Sequence, residues 1–292
     1  MPPCPFCGGP GEAALRTTDR NRRIGRDRFT YLRCRDCRTL FLADPPDDLG
    51  AHYDEEYFVL PPLEALRAEA ARESWRMDLL RPFASGGRLV EVGPGNGIFA
   101  VQARDEGFET VTIERDPGAC AYLRETVGVE AIESDAPEEV LPGLGPCRAI
   151  ALWHVLEHLP RPAALLEAAG AALQPGGALL VAVPNPDSLG LRVLGRRWPH
   201  IDAPRHLALV PSDALVERAA ALGLETALIT TDDPGARHWN RFGWEFALRS
   251  TRSRHPRVVA ARAAAGVIAA ALSPLERRPG RGSAYTVVLR KA

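Results

Sequence analysis

A short apolar run that ends in an acid and then breaks into alternating glycines constrains this chain more than any other feature. The run is LVEVGPGNG at residues 89–97, and a helical pattern begins directly after it, at Ile98. A strand, a tight turn and a helix N-terminus present backbone N–H groups and a positive dipole end to a ligand. The glycines let a ligand approach where a Cβ would collide with it. Nicotinamide, flavin and nucleotide sites all use such a turn, and an ordinary strand–helix turn without a ligand is the alternative.

From residue 88 onward the pattern alternates between strand and helix. This predicts an α/β fold, with a parallel sheet and helices on both of its faces. The predicted strands are 88–92, 109–114, 129–133, 148–153, 178–183, 224–230 and 284–289. The predicted helices are 63–80, 98–106, 117–126, 162–173 and 212–222, the last one capped by Ser212, with a further helical region at 237–272.

Two Cys-x-x-Cys pairs lie near the N-terminus. They are Cys4 with Cys7 and Cys34 with Cys37. In a reducing compartment, four thiolates at this spacing are typical of one tetrahedral Zn²⁺, and Gly8 supplies the backbone freedom that so tight a turn needs. A redox dithiol or a disulfide is the alternative. Four protein ligands leave the metal no open position, so the sequence predicts a structural zinc ribbon.

Composition bounds the classes of protein to which the chain can belong. The 292 residues are 46% apolar and 25% charged, and the net charge of −1 gives the whole molecule no bias toward nucleic acid. No apolar run reaches the roughly 18 residues that span a bilayer, and the start of the chain has no signal-peptide pattern, so we expect a cytoplasmic protein. Nine arginines fall at 16–38 and seven at 237–262. Such a local excess of positive charge indicates either a solvent-exposed face or a surface that binds an anionic partner.

Chemically useful residues follow four of the predicted strands at the points where they end. In an open α/β sheet, ligands bind at the carboxyl ends of the strands. Glu91 and the glycines close the first strand, and Glu114 closes the second, where a carboxylate can accept both hydroxyls of a ribose. Asp135 follows the third strand, within reach of an adenine amino group, and Trp153 and His154 follow the fourth.

Together these motifs resemble class I S-adenosylmethionine-dependent methyltransferases. The run 91–97 resembles the first motif of that family, and Glu114, Ser134-Asp135 and LWHVLEHL at 152–159 follow in its order and spacing. QPGG at 174–177 resembles the turn before the family's fifth strand. Within the class, the chain is similar to the small-molecule branch, with ubiquinone-biosynthesis-type O-methyltransferases and bacterial natural-product and sugar-pathway members. The resemblance implies a Rossmann-like, seven-stranded, mostly parallel sheet with an antiparallel last strand.

The resemblance also implies which residues hold S-adenosylmethionine. They are Gly93, Gly95 and Gly97 for the methionine part, Glu114 for the ribose, Asp135 with Ala136 for the adenine, and Trp153 for the methionine tail, together with Glu91 before the glycine turn. Tyr53 and Tyr57 match the family's capping segment, and their spacing of four residues puts them on one helix face. Packing of both tyrosines in the core is the alternative.

Three histidines are candidates for the base that would deprotonate a hydroxyl acceptor. His154 follows the fourth strand, His158 lies four residues further along a predicted helix, and His206 lies in the loop segment after the fifth strand. The alternatives are structural: His154 and His158 would cap and pack the helix, and His206 would order the loop. Arg192, Trp198 and Arg205 are expected to shape the acceptor pocket.

We therefore expect a methyltransferase that acts on a small-molecule hydroxyl in a biosynthetic pathway, on an acceptor that is anionic or lipid-linked. The base-amine methylation motif is absent after the fourth strand, which counts against amino groups of nucleic acid. A dehydrogenase would need a hydride-transfer domain that the chain lacks. The alternatives are an rRNA or tRNA methyltransferase that uses the ribbon on RNA, and a non-catalytic zinc-ribbon scaffold.

The expected division is a zinc ribbon at 1–44, a linker with capping helices at 45–82, and a methyltransferase domain at 83–292 with a helical insert at about 236–275. The insert contains an Ala/Val/Ile-rich helix at 258–272 beside basic residues. That helix would pack on the sheet, form an oligomer contact, or rest on a membrane surface.

Overall fold

A seven-stranded sheet forms the centre of the fold. The computed structural model describes residues 1–53, 59–248 and 256–292, without the side chains of 248 and 256–263. In chain order the strands are β1 (Gly11–Thr18), β2 (Arg28–Cys34), β3 (Leu40–Leu42), β4 (Arg88–Val92), β5 (Glu109–Glu114), β6 (Glu130–Glu133), β7 (Cys147–Trp153), β8 (Leu173–Pro184), β9 (Ala208–Leu209), β10 (Leu224–Thr230) and β11 (Ala284–Lys291). The main sheet has the order β10-β11-β8-β7-β4-β5-β6, and β11 runs in the direction opposite to the other six strands. The predicted α/β, Rossmann-like fold class is confirmed.

Ten α-helices accompany the strands in the described part of the chain. They are α1 (Leu63–Arg72), α2 (Trp75–Leu80), α3 (Ile98–Asp105), α4 (Pro117–Tyr122), α5 (Pro137–Val140), α6 (Pro162–Ala172), α7 (Leu189–Leu194), α8 (Ser212–Ala221), α9 (Pro234–Leu248) and α10 (Pro256–Glu276). Within the described residues, none of the helices combines the length and the apolar character that crossing a bilayer requires.

The single helix predicted at 63–80 is wrong, because the chain breaks between α1 and α2. Glu73 leaves helical geometry, with φ of −106° and ψ of 22°. Leu66 of α1 packs in the same buried cluster as Val101, whereas Met77 of α2 packs with Phe99 in another cluster. The break lets each short helix bury its apolar face in its own cluster.

Two predicted boundaries also differ. β8 begins at Leu173, so the turn predicted at 174–177 lies inside the strand, where its pairing with β7 shifts register between Cys147 and Ala149. Gly176, with φ of 72°, accommodates the irregularity. The N-cap of α8 is Pro211, which offers no side-chain hydrogen bond, and Ser212 is the first residue of the helix.

The N-terminal ribbon forms a second sheet, in the order β1-β2-β3-β9, with antiparallel pairing throughout. The last strand of this sheet comes from beyond β8: Phe41 of β3 pairs with Ala208 of β9. No strand was predicted there. Phe41 also packs in one buried cluster with main-sheet residues such as Val183 and Leu152. The two sheets therefore share a core, and the division at residue 44 stays a prediction.

We expect Phe41→Ala to destabilise the whole chain. Phe41 is 1% exposed and belongs to the shared core, so removing its ring should lower the free energy of unfolding by about 3–5 kcal/mol. Urea unfolding followed by circular dichroism measures the loss, with Val193→Ala, at an exposed site, as the control. A loss no larger than that of the control would contradict a shared core.

Candidate functional site

A cleft of about 790 Å³ opens where β4, β5, β6 and β7 end. This volume is typical of small-molecule and cofactor sites. Its wall includes Tyr53, Gly93, Gly95, Glu114, Asp135, His154 and His158, all of which the sequence predicted for the site. The wall also contains Leu49, Leu60, Arg115, Val155 and Leu159, which were not predicted. Arg115 could have been found from its place beside Glu114, at the same strand end.

The three glycines of the turn have different roles. All have positive φ, at 64° for Gly93, 57° for Gly95 and 82° for Gly97. A Cβ on Gly93 would lie 2.5 Å from a methyl group of Val155, and one on Gly97 would lie 3.0 Å from Leu123. Only Gly95 of the three has open space on that side. Close ligand approach therefore explains Gly95, whereas Gly93 and Gly97 are needed for packing within the protein.

Glu114 presents an oriented carboxylate to the cleft. Its Oε1 accepts the backbone N–H groups of Arg115 at 2.8 Å and Asp116 at 3.0 Å, and its Oε2 accepts that of Gly95 at 3.4 Å. Burial raises the pKa of Glu114, and these N–H groups oppose the rise. The side chain is therefore held in one orientation before any ligand binds.

Glu91 lies beneath the turn and not in the cleft wall. Its side chain is 1% exposed, and its Oε2 has no hydrogen-bond partner among the described residues. Burial raises the pKa of Glu91 to about 8, although the nearby Arg76 opposes this. At neutral pH the group is therefore mostly protonated, and it can donate a hydrogen bond rather than provide a charge.

Trp153 is not in the cleft wall either. Its indole packs edge-on against Trp75 at 5.6 Å and Phe99 at 5.5 Å between ring centroids, with the Arg76 guanidinium 5.0 Å from its ring. Successive residues of a strand point to opposite faces, and the alternation in β7 sends Trp153 to the side of α2 and α3. Only the residue after it reaches the cleft.

His154 turns out of β7 in a left-handed conformation, with φ of 57°. Its backbone N–H donates to the Ala182 carbonyl at 2.8 Å. Its Nε2 lies 2.9 Å from the indole nitrogen of Trp239, which donates to it, and its Nδ1 lies 3.6 Å from Oε1 of Glu157. The expected helix pairing with His158 is wrong, since only a 3₁₀ turn spans Leu156–His158. Both histidines still reach the cleft.

Glu157, which the sequence did not single out as a site residue, lies at the centre of a histidine cluster. It is 1% exposed, and neither carboxylate oxygen has a hydrogen-bond partner within the described residues. Burial alone would raise the pKa of Glu157, but His154, His206 and His158 together leave it below its ordinary value. A buried carboxylate in these surroundings orients imidazole rings and stabilises positive charge on them.

His158 and His206 pack edge to face, with ring centroids 4.6 Å apart. Nδ1 of His158 lies 3.1 Å from the Arg205 carbonyl and 3.2 Å from the Tyr53 hydroxyl, and burial lowers the pKa of His158 to about 4. One nitrogen of each ring and an oxygen of Glu157 lie within 4.8 Å of one another, so this cluster could hold a cation or a shared proton.

His206 belongs to this cluster but does not line the cleft wall. Its Nδ1 is 2.9 Å from the His200 carbonyl, and its Nε2 is 4.0 Å from both Glu157 and Asp202. The other predicted residues of the acceptor loop, which we define as residues 185–207 between β8 and β9, are also outside the wall. Trp198 and Arg205 are fully buried, Arg192 lines a separate groove against β1, and Tyr57 lies outside the described residues.

The four predicted metal ligands meet in the ribbon. Sγ of Cys4 is 3.7 Å from that of Cys37, and Sγ of Cys7 is 3.4 Å from that of Cys34. Tetrahedral zinc with Zn–S bonds of about 2.3 Å separates its sulfurs by about 3.8 Å. Gly8 has φ of 79°, as the tight turn requires. The cluster is therefore compatible with zinc.

Known proteins resemble both the sequence and the fold. Residues 64–228 match a protein family described as "Methyltransferase domain". A ubiquinone biosynthesis O-methyltransferase of Xylella fastidiosa is 33% identical over 110 residues, 35% of this chain and 43% of that protein. Another from Xanthomonas oryzae is 29% identical over 136 residues, 43% of this chain and 53% of that protein. The chain thus spans about half the length of the curated relatives that it matches.

Two solved structures share the fold at low sequence identity. A SAM dependent methyltransferase from Archaeoglobus fulgidus is 19% identical, with a TM-score of 0.51 over 78% of this chain and 97% of that chain. A cyclopropane synthase from Mycobacterium tuberculosis is 16% identical, with a TM-score of 0.50 over 74% and 83%. The family match covers more than half of the chain. This chain therefore belongs to the methyltransferase-domain family and has the fold of class I S-adenosylmethionine-dependent methyltransferases.

Proposed function

We propose that the chain transfers a methyl group from S-adenosylmethionine to a hydroxyl of a small-molecule acceptor. The observation that carries the proposal is one cleft that contains both an oriented carboxylate, Glu114, and an imidazole backed by a buried carboxylate, His154. The family match supports methyl transfer, and the names of the ubiquinone biosynthesis relatives support an oxygen acceptor.

The residues of the cleft fit this donor. Glu114 would accept the ribose hydroxyls, Asp135 would accept from the adenine amino group, and the turn at Gly95 would lie beside the methionine part. Tyr53, whose ring has the Arg115 guanidinium 5.0 Å away, would cover the site from the linker. The bound donor supplies a methyl group that its sulfonium already activates, so the protein has mainly to align the acceptor and exclude water.

Among the three histidines, His154 is the best candidate for the base. It lines the cleft, and Glu157 lies on the Nδ1 side of its ring. Nε2 is then the nitrogen that takes the acceptor proton, and an acceptor hydroxyl would replace the Trp239 indole there. The low pKa of His158 makes it a weak base, and His206 lies behind the wall.

Glu114→Gln should weaken binding of the donor. The change removes the negative charge that the ribose hydroxyls would meet, and a hydrogen bond to a charged group contributes about 1.5–3 kcal/mol, or roughly 10- to 150-fold in Kd. Calorimetric titration with S-adenosylmethionine measures it. Glu133→Gln, at the exposed end of the neighbouring strand, is the matched control. Wild-type affinity in Glu114→Gln, or no binding by the wild type, would refute the donor site.

His154→Gln should abolish most methyl transfer while donor binding stays intact. Loss of a general base typically costs about 10²- to 10⁴-fold in turnover. The assay follows labelled methyl groups from the donor into fractions of a cell extract, with His238→Gln, at an exposed site on α9, as the control. A His154→Gln enzyme that works at the wild-type rate would remove His154 from the mechanism.

RNA methylation is the second candidate, and a cluster of arginines favours it. Burial and the nearby charges of Arg197, Arg196 and Arg23 lower the pKa of Arg20, which marks a concentrated positive patch beside the acceptor loop. Such a patch would attract the phosphates of RNA or of an anionic small acceptor. The same labelling assay separates the two, because the label enters either the RNA fraction or the small-molecule fraction.

We also propose that the four cysteines hold structural Zn²⁺. The purified protein should contain one zinc per chain, and Cys34→Ser should lose the metal and lower the melting temperature. Elemental analysis and thermal unfolding measure the two effects. Cys120→Ala, at a buried thiol outside the ribbon, should keep the metal. A metal-free wild type, or a disulfide between these cysteines, would disprove the assignment.

An oligomer contact through α10 is a further proposal. Val267 of this helix is 69% exposed and Leu275 is 40% exposed, so the helix presents apolar surface. A second copy of the chain would cover these residues, whereas a membrane surface is the alternative partner. Sedimentation equilibrium, with and without lipid vesicles, distinguishes a monomer, an oligomer and a vesicle-bound form.

A further inference from the structure

Arg205 joins three separate segments of the chain. Its side chain is completely buried, and each of its five N–H groups has an acceptor. Two bonds go to Asp19, at 2.8 and 3.1 Å, and two to Asp202, at 2.7 and 2.9 Å. The fifth goes to the carbonyl of His52, at 2.9 Å. Asp19 directly follows β1 of the ribbon, His52 precedes the cleft residue Tyr53, and Asp202 lies in the acceptor loop.

The backbone of Arg205 and of the residues that follow it is in turn hydrogen-bonded to the histidine cluster. The Arg205 carbonyl is 3.1 Å from Nδ1 of His158. The Leu207 N–H donates to the Glu157 carbonyl at 2.7 Å. The ribbon holds the same stretch from its other side, since the Tyr31 hydroxyl donates to the His206 carbonyl at 2.7 Å. Residues 205–207 thus lie between the ribbon and the histidine cluster.

These bonds determine which ring nitrogens carry hydrogen. A carbonyl can only accept, so we assign Nδ1 of His158 as the donor to the Arg205 carbonyl and Nδ1 of His206 as the donor to the His200 carbonyl, and the Tyr53 hydroxyl beside Nδ1 of His158 then acts as an acceptor. The Nε2 atoms are then left as acceptors when the rings are neutral. A shift of the loop would lengthen the bond from His158 and release its ring to the other tautomer.

The ion pair is better suited to positioning than to stability. Burying a guanidinium with two carboxylates costs desolvation free energy that their attraction recovers only when the geometry is nearly ideal. Here Asp19 is also fixed by the N–H groups of Arg22 at 3.0 Å and Ile24 at 3.1 Å. Its carboxylate is therefore a rigid point on the ribbon against which Arg205 is aligned.

We propose that the zinc ribbon is part of the methyl-transfer site, because Asp19 and Tyr31 act through Arg205 and the 205–207 backbone as positioning residues for His158 and His206. This inference rests on the proposed function, since His158 lies in the wall of the proposed methyl-transfer cleft and His206 packs against it. The metal contributes to this positioning through β1 and β2. Cys34 ends β2 and pairs with Gly11 at the start of β1, so the metal cluster anchors the hairpin that carries Asp19 and Tyr31.

The test reads the histidine rings directly, by long-range ¹H–¹⁵N correlation spectra of the full-length, zinc-loaded protein. In the wild type, His158 and His206 should each show a single Nδ1–H tautomer. Asp19→Asn keeps the size of the side chain but turns one acceptor into a donor that faces the guanidinium. It should shift both histidine signals toward a mixture of tautomers, speed amide exchange at Leu207 by about tenfold or more, and leave His154 unchanged.

If Asp19→Asn does not fold, Tyr31→Phe tests the proposal, because it removes the hydroxyl that bonds the His206 carbonyl and keeps the ring. It should move the His206 signal in the same direction. Glu12→Gln is the matched control, since it breaks an exposed ribbon ion pair with Arg35 and leaves the bonds of Asp19 and Tyr31 in place. Wild-type histidine signals in Asp19→Asn, or in Tyr31→Phe where the first variant is unfolded, would overturn the proposal, as would equal shifts in Glu12→Gln.

Titration of the same proteins with S-adenosylhomocysteine keeps the two proposals separate. Equal affinity in Asp19→Asn and the wild type, together with shifted histidine signals, supports positioning on the acceptor side. Absence of binding by the wild type would instead refute the donor site, and the test of the histidine tautomers would remain valid. Removal of zinc by a chelator should reproduce the Asp19→Asn spectrum, and an unchanged spectrum in the metal-free protein would refute the role of the metal.

Discussion

Besides the core that they share, the two sheets are held relative to each other by one buried guanidinium. Arg205 cannot leave any of its N–H groups without an acceptor inside the protein, because an unpaired buried donor costs free energy that one side chain cannot recover elsewhere. Its acceptors come from the ribbon, the linker and the loop after β8. All three segments must therefore be in register before the interaction can form. Burial would raise the pKa of Asp19 and of Asp202, but bonding to Arg205 keeps both below their ordinary values.

Much of the fold was predictable because its signals are local. The apolar runs of β4, β5 and β7 and the glycine turn after β4 depend only on neighbouring residues, and they predict a parallel sheet, whereas the antiparallel last strand was implied by the family resemblance alone. Glu114 and Asp135 were predictable for a further reason. Parallel strands end at one edge, so a polar residue that follows each strand reaches the same cleft without any knowledge of side-chain packing.

The remaining features depend on contacts between residues that are far apart in sequence. Trp153 and His154 are adjacent, yet strand alternation and a left-handed residue send one into the core and the other into the cleft. The role of Glu157 depends on the three histidines that surround it, and one of them, His206, comes from the loop after β8. The break in the helix at 63–80 depends on two clusters that it separates, and no local sequence signal predicts which residues those clusters contain.

The pairing of β3 with β9 has a consequence for the order in which the chain is made. Four cysteines and three of the four strands of the ribbon are synthesised before the main sheet, but the outer edge of β3 stays open until residues 208–209 have been added. Leu40, Phe41 and Leu42 are all buried in the finished molecule, so the strand with this open edge carries only apolar side chains. Nascent chains that stop short of β9 therefore expose a strand edge that is suited to pairing with another chain. The ribbon is synthesised before the main sheet but is completed only after most strands of that sheet have been made.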